Sequence, residues 1–148
     1  MRAFFLMAID ELKKGVVCKS AEETMALASR LAREMREGTV ALTGNLGAGK
    51  TTFAKGLAAG LGVKETVKSP SYNVCLTYSG EIASFAHVDA YRLSGPEAFD
   101  ALLLDEILPG PKLVCVEWAD IVGDALPPDT LWINISGMDE RRFVLGRA

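Results

Sequence analysis

The sequence predicts an α/β fold with a largely parallel central sheet and an added antiparallel hairpin. Three observations predict it. Short apolar runs alternate with segments of helical periodicity, the pattern of helices layered on a sheet. A glycine-rich stretch, residues 44–49, joins one such run to a helical segment. A second run, Leu113-Val114-Cys115-Val116, is apolar throughout and ends in Glu117, as suits a strand buried on both faces.

The elements follow in order. Ser20-Ala21-Glu22-Glu23 is a capping box, in which the serine oxygen takes an orphan amide and Glu23 reaches back. The helix it opens is predicted to run to about Glu37, with Gly38 as its stop. Thr24, Ala28, Leu31 and Met35 recur at helical spacing, Met25 and Leu27 add to the packing, and Arg33, Glu34, Arg36 and Glu37 favour water. Residues 39–43 read as a buried strand, 44–49 as a loop and 50–61 as a helix, with a turn at Gly60-Leu61-Gly62. Residues 67–72 read as a loop broken at Ser69-Pro70. Residues 74–78 and 82–88, joined by Ser79-Gly80, read as a hairpin. Pro96 suits the first turn of a helix carrying Phe99, Leu102, Leu103 and Ile107. After the strand that ends at Glu117 come a turn at 126–129, a strand at 131–135 and a last strand at 143–145.

The chain has 148 residues, a length that predicts one domain, residues 1–148, with one core. Its 49% hydrophobic and 24% charged content excludes a disordered chain. A net charge of −3 excludes nucleic-acid binding by bulk positive charge. The charge is uneven: residues 1–68 hold 11 basic and 7 acidic groups (+4), residues 69–148 hold 5 and 12 (−7). Such asymmetry suits a charged ligand or partner, and equally two differently solvated faces. Cys18, Cys75 and Cys115 are scattered with no CxxC pair, which points away from a disulfide framework and toward a reducing compartment. Cys75 and Cys115, inside apolar runs, read as buried small hydrophobes. No run reaches the roughly 18 apolar residues of a membrane span. The start, residues 2–9, has the look of a signal core but meets Asp10 and Glu11 at once without a small-residue cleavage site, so no secretory signal and a cytoplasmic location are expected.

The chemistry resides in Gly44-Asn45-Leu46-Gly47-Ala48-Gly49-Lys50-Thr51, which fits G-x-x-x-x-G-K-[ST], the phosphate-binding P-loop. Glycines let the backbone curl with its N–H groups inward, forming a nest for phosphate oxygens. The helix that follows adds its positive end and unpaired amides. Lys50 supplies charge for the β- and γ-phosphates, and the Thr51 hydroxyl can ligate Mg²⁺. The flanking strand and helix predict a P-loop NTPase-type three-layer fold, with a nucleoside triphosphate as ligand and Mg²⁺ as cofactor.

Such a site needs an acid at the tip of a neighbouring strand. Glu117 is the first candidate, with an exposed strand-end glutamate as its plain alternative. Asp89 is the second, able to orient water or hold the metal's hydration shell, or else a helix cap or turn residue. His87, the single histidine, reads as a hydrogen-bonded core imidazole rather than a base. Arg92 suits either transferred-phosphate charge or a structural ion pair. Trp118 reads as a wedge between elements or a nucleotide contact. Ser69-Pro70-Ser71-Tyr72 is a hydroxyl-bearing turn that could order around a γ-phosphate as switch loops do.

Taken together, Gly44 to Thr52, Val67-Lys68-Ser69-Pro70-Ser71-Tyr72, His87-Val88-Asp89-Ala90-Tyr91-Arg92 and Val116-Glu117-Trp118 resemble the TsaE (YjeE) family, over roughly residues 20–145. The resemblance implies a bacterial P-loop ATPase required for threonylcarbamoyladenosine modification of tRNA. It further implies a TsaB–TsaD-type partner complex, through which alone tRNA would be met. By the same resemblance Asn45 to Thr52 line the ATP, Lys50 and Thr51 hold phosphate and Mg²⁺, and Glu117 is the metal-side carboxylate. Hydrolysis would depend on Asp89, residues 69–72 would be the switch segment, and Ser20, Thr24, Arg141 and Arg142 would fall near the adenine. Asn45, Ser71 and Ala90 depart from the family's commoner aspartate, threonine and leucine, and none removes an essential group.

Two rival functions remain open on sequence. One is a nucleotide-gated assembly module with negligible turnover. The other is a small-molecule phosphotransferase, which needs an acceptor site and an arginine-bearing lid where the second half offers Arg92, Arg141, Arg142 and Arg147. A GTPase would need an Asn-Lys-x-Asp motif that the chain lacks. With no second arginine finger and no water-positioning glutamine evident, slow basal turnover is expected.

Overall fold

The computed structural model describes residues 7–45, 47–70 and 73–147. In chain order the elements are α1 (Ala8–Lys14), β1 (Val16–Cys18), α2 (Ala21–Met35), β2 (Gly38–Thr43), α3 (Gly47–Gly60), β3 (Cys75–Tyr78) and β4 (Ser84–Asp89). A 3-10 turn at Ala90–Arg92 leads to α4 (Pro96–Asp100) and α5 (Leu104–Ile107). Then come β5 (Lys112–Glu117), a 3-10 segment at Ala119–Ala125, β6 (Leu131–Ser136) and β7 (Arg141–Leu145).

Among the described residues the strands form one seven-stranded sheet in the order β1-β7-β6-β2-β5-β4-β3. β6, β2, β5 and β4 run parallel, while β3 pairs antiparallel with β4, and β7 with both β6 and β1. The largely parallel sheet and the 75–89 hairpin agree with the expectation. β1 and α1 were not legible in the residue pattern. α1 exists because Glu34, read above as a water-facing residue, turns to it: its carboxylate accepts from the Ala8 and Ile9 amides at 2.7 and 3.3 Å. Those amides are orphan donors at a helix start, and burial without a partner would be costly.

Alternate residues along each strand face opposite layers. On one face Val40, Leu42, Phe85, Leu113, Cys115, Ile133, Ile135 and Phe143 pack under α2, α3 and α1. On the other, Ala41, Ala86, Val88, Val114 and Val116 pack under α4, α5 and the 3-10 segments. α2 and α3 meet closely because Gly56 and Gly60 carry no side chain: a Cβ there would stand 2.7 Å from the Met25 carbonyl oxygen and 2.4 Å from that of Ser29. Phe53 of α3 stacks on Phe143 of β7 with ring centroids 5.3 Å apart, which fixes α3 against the antiparallel side of the sheet. Each such buried ring contributes about 2–3 kcal/mol.

Three local expectations are corrected. α2 ends at Met35, one turn being closed by Arg36 in a positive-φ conformation (φ 66), and Gly38 opens β2 rather than stopping the helix. The helix expected across Phe99, Leu102, Leu103 and Ile107 is two short ones, because Leu103 is left-handed (φ 55, ψ 46). That reversal lets Phe99, Leu102 and Leu104 pack on the sheet while Leu103 and Ile107 are 52% and 55% exposed. Cys75, expected in the core, is half-buried on the edge strand β3. The Ser20 box forms as expected: Ser20 Oγ accepts from the Glu23 amide at 3.1 Å, and the Glu23 carboxylate reaches back to accept from the Lys19 amide at 3.0 Å.

Candidate functional site

Parallel register brings Leu42 of β2, Glu117 of β5 and Asp89 of β4 side by side at the carboxyl ends of their strands. Ligands of open α/β sheets bind at this edge. β2 gives way here to the glycine-rich loop. Gly44 has φ 124, and a Cβ on it would lie 2.1 Å from the Ile135 carbonyl oxygen. Only glycine lets the chain leave β2 this close to β6. α3 starts at Gly47, three residues before the expected Lys50, so the amides of its first turn belong to the loop's own glycines.

Lys50 is fully buried, and its Nζ has no hydrogen-bond partner among the described residues. It lies 3.6 Å from the centroid of the Trp118 ring, a cation–π contact. Burial holds its pKa below the ordinary lysine value, opposed by the nearby charges of Glu117, Asp120 and Asp89. A buried ammonium without an acceptor is costly, and an anionic ligand at the loop would relieve that cost. Trp118 takes the left-handed conformation (φ 57, ψ 40) directly after Glu117, and its ring also meets Tyr91 at 5.1 Å. Trp118 is therefore the wall over Lys50.

Thr51 Oγ1 donates to Glu117 Oε2 at 3.3 Å, so the expected metal pair is brought together. Glu117 is buried, 5% exposed, which removes the reading of a solvated strand-end acid. Asp89 stands next to it across the ladder, half-buried, and its Oδ1 accepts from the Tyr91 amide at 3.0 Å, capping the 3-10 turn. It is thus a cap and a neighbour of the site at once. The described residues contain no group of three or more His, Cys, Asp or Glu side chains that could hold a metal by themselves. One hydroxyl and one carboxylate suit Mg²⁺, which keeps several waters and takes phosphate oxygens.

The remaining candidates divide. Arg141 faces the loop: a Cβ on Gly49 would lie 2.9 Å from its Cδ and 3.0 Å from its Nε, and that Nε is buried without a partner among the described residues. Arg142 points to the other side, with its guanidinium against Gly15, so the structure separates two arginines that the chain places together. Thr24 is buried and hydrogen-bonds Cys18, which pairs with Arg141 across β1 and β7. Ser20 is committed to capping α2. Asn45 is exposed and Thr52 half-buried. Of the switch segment, Ser69 is exposed and Pro70 buried, its carbonyl accepting from the amides of Asn73 and Val74 at 3.0 and 2.9 Å. Leu46, Ser71 and Tyr72 lie outside the described residues, and the same holds for residues 1–6 of the chain.

Sequence reasoning missed Val74, a β-branched residue at φ 63 whose carbonyl accepts from the Asp89 amide at 2.7 Å. That bond ties Val74 to the strand end that carries Asp89. No signal in a single sequence marks it. The described residues contain no helix long and apolar enough to cross a membrane.

Comparison with known proteins agrees with this arrangement. The family model "Threonylcarbamoyl adenosine biosynthesis protein TsaE" matches residues 18–144. A Bacillus subtilis tRNA threonylcarbamoyladenosine biosynthesis protein TsaE is 41% identical over 125 residues, 82% of this chain and 78% of its own. Its Treponema pallidum counterpart is 37% identical over 120 residues, 80% and 88% of the two chains. The crystal structure of Bacillus subtilis YdiB superposes with a TM-score of 0.70 at 34% identity, covering 88% of this chain and 82% of that one. With nearly the whole sheet and every element of the carboxyl-edge site inside the matched span, the chain belongs to the TsaE family of threonylcarbamoyl adenosine biosynthesis proteins.

Proposed function

We propose that this chain is a Mg²⁺-dependent P-loop ATPase of one domain, the accessory subunit of a TsaB–TsaD-type complex that makes threonylcarbamoyladenosine in tRNA. The observation that carries the reading is the buried Lys50 ammonium, unpartnered among the described residues, at the start of α3 beside the Thr51–Glu117 pair. A lysine kept buried without an acceptor is a cost to the fold that an incoming phosphate offsets.

In the reaction the loop amides and Lys50 hold the triphosphate. Phosphoryl transfer through a loose transition state needs positioning and charge neutralisation more than covalent help. Thr51 and Glu117 would hold Mg²⁺, which neutralises phosphate charge when bound. Asp89 keeps one carboxylate oxygen on the Tyr91 amide, and we assign the other to the attacking water. The water oxygen bonds to the γ-phosphorus, the bond to the β–γ bridging oxygen breaks, and ADP and phosphate leave. Arg141, packed on Gly49, lends positive charge near the nucleotide, with Thr24 and Cys18 behind it. The protein acts in the cytoplasm and meets tRNA through its partners.

Phosphate release by the purified chain, with and without a TsaB–TsaD pair, tests the reading. Slow release alone, stimulation by the pair and loss in Lys50→Ala are expected. No release under any condition with intact ATP binding would favour the nucleotide-gated assembly module instead. Transfer to an added acceptor would favour the phosphotransferase.

A further inference from the structure

The single histidine of the chain is not merely core. His87 lies on β4 opposite Cys115 of β5, fully buried, with the Phe85 ring 6.1 Å away. Its Nε2 stands 2.5 Å from Glu117 Oε2, the same oxygen that accepts from Thr51 Oγ1 at 3.3 Å. An ionised carboxylate only accepts, so the bond requires a proton on Nε2. Nδ1 has no partner among the described residues, so the contact to Glu117 is the polar bond that the ring makes there. Both donors fall on one oxygen, and turning the carboxylate breaks both bonds at once. The chain His87–Glu117–Thr51 thereby links β4, β5 and the first turn of α3.

We propose that His87 is a positioning residue for the metal-side carboxylate, fixing Glu117 in the orientation in which it and the Thr51 hydroxyl serve Mg²⁺. This rests on the nucleotide reading above. The buried Glu117 carboxylate needs a donor to hold its orientation, and Thr51 alone offers a long one. Partners behind a metal ligand tune metal affinity by about 10- to 100-fold. The role predicts a selective effect: His87 matters for the Mg²⁺ requirement of nucleotide binding and little for binding without the cation.

The test is calorimetric titration of ATP into the purified chain over a range of Mg²⁺ concentrations, with thermal melts to confirm folding. His87→Leu removes the donor, and His87→Gln carries an amide nitrogen near the Nε2 position. His87→Asn, whose amide stops at the Nδ1 position, replaces the leucine variant if that fails to fold. The donor-less variant is expected to need about tenfold more Mg²⁺ for half-maximal tight binding. Its Mg²⁺-free affinity should stay within about threefold, and the glutamine variant should recover most of the loss. An unchanged Mg²⁺ requirement in a folded donor-less variant would overturn the inference, as would equal losses with and without Mg²⁺. Wild-type chain that binds no ATP at any Mg²⁺ concentration would overturn the nucleotide reading itself, and this inference with it.

Discussion

The Lys50 ammonium sits 3.6 Å from the centre of the Trp118 ring, and both partners hold that contact at a cost. Trp118 is left-handed at φ 57, and Lys50 is buried with no hydrogen-bond acceptor among the described residues. Lys50→Met keeps the stem and removes the charge. The variant is expected to be more stable than the wild type without nucleotide by about 1 kcal/mol, a rise in Tm of about 2–4 °C. The pH dependence follows from the lowered lysine pKa. The unfolded chain keeps this proton up to the ordinary 10.5, the folded chain loses it sooner, so the stability gained is complete above 10.5 and lost as pH falls through the lowered value. Melting curves across alkaline pH should show that gain in the wild type and not in Lys50→Met.

Gly44→Ala tests the loop's exit from β2. A Cβ 2.1 Å from the Ile135 carbonyl oxygen, on a residue at φ 124, has no room and no relaxed backbone. A loss of more than about 3 kcal/mol in denaturant unfolding is expected, or outright failure to fold. Stability within about 0.5 kcal/mol of wild type would show that the loop can leave the strand another way.

Asp89 is both a cap and, in our reading, the residue for water. Asp89→Asn keeps an acceptor for the Tyr91 amide and removes the charge. It should unfold within about 0.5 kcal/mol of wild type and bind ATP, while turnover falls about 100-fold or more. Asp89→Ala should lose a further ~1 kcal/mol of stability with the cap. Turnover by Asp89→Asn at the wild-type rate would leave the residue a cap and nothing more.

The two neighbouring arginines of β7 should differ. Arg141→Ala removes positive charge packed on Gly49 and is expected to weaken ATP binding about tenfold, whereas Arg142, against Gly15, should change it less than about twofold when replaced by alanine. Competition binding with a fluorescent nucleotide reads both. Equal effects would mean that the strand's alternation does not decide which arginine meets the ligand.

The parallel sheet, the loop and the Thr51–Glu117 pair were legible because each is written locally: continuous apolar runs, a spaced glycine motif, a charge at the end of a strand. What escaped depends on contacts far apart in the chain. α1 stands on Glu34 of α2, 26 residues away from the Ala8 amide it accepts. Periodicity counted Leu103 as core, yet one left-handed residue turned it outward. Arg141 and Arg142 are equivalent in sequence and opposite in space, because a strand's two faces are fixed by register, which the chain does not announce. The sequence marks His87 as a hydrogen-bonded core residue, but its partner Glu117 lies 30 residues on and is set by the pairing of β4 with β5.

The most direct measurement is the heat released when MgATP is titrated into wild-type chain and into Lys50→Met, each alone and with a TsaB–TsaD pair. Saturable heat from the wild type, absent from the variant although it melts at an equal or higher temperature, is the predicted result. Equal heats from the two chains, or none from either with partners present, would contradict a phosphate site built on Lys50.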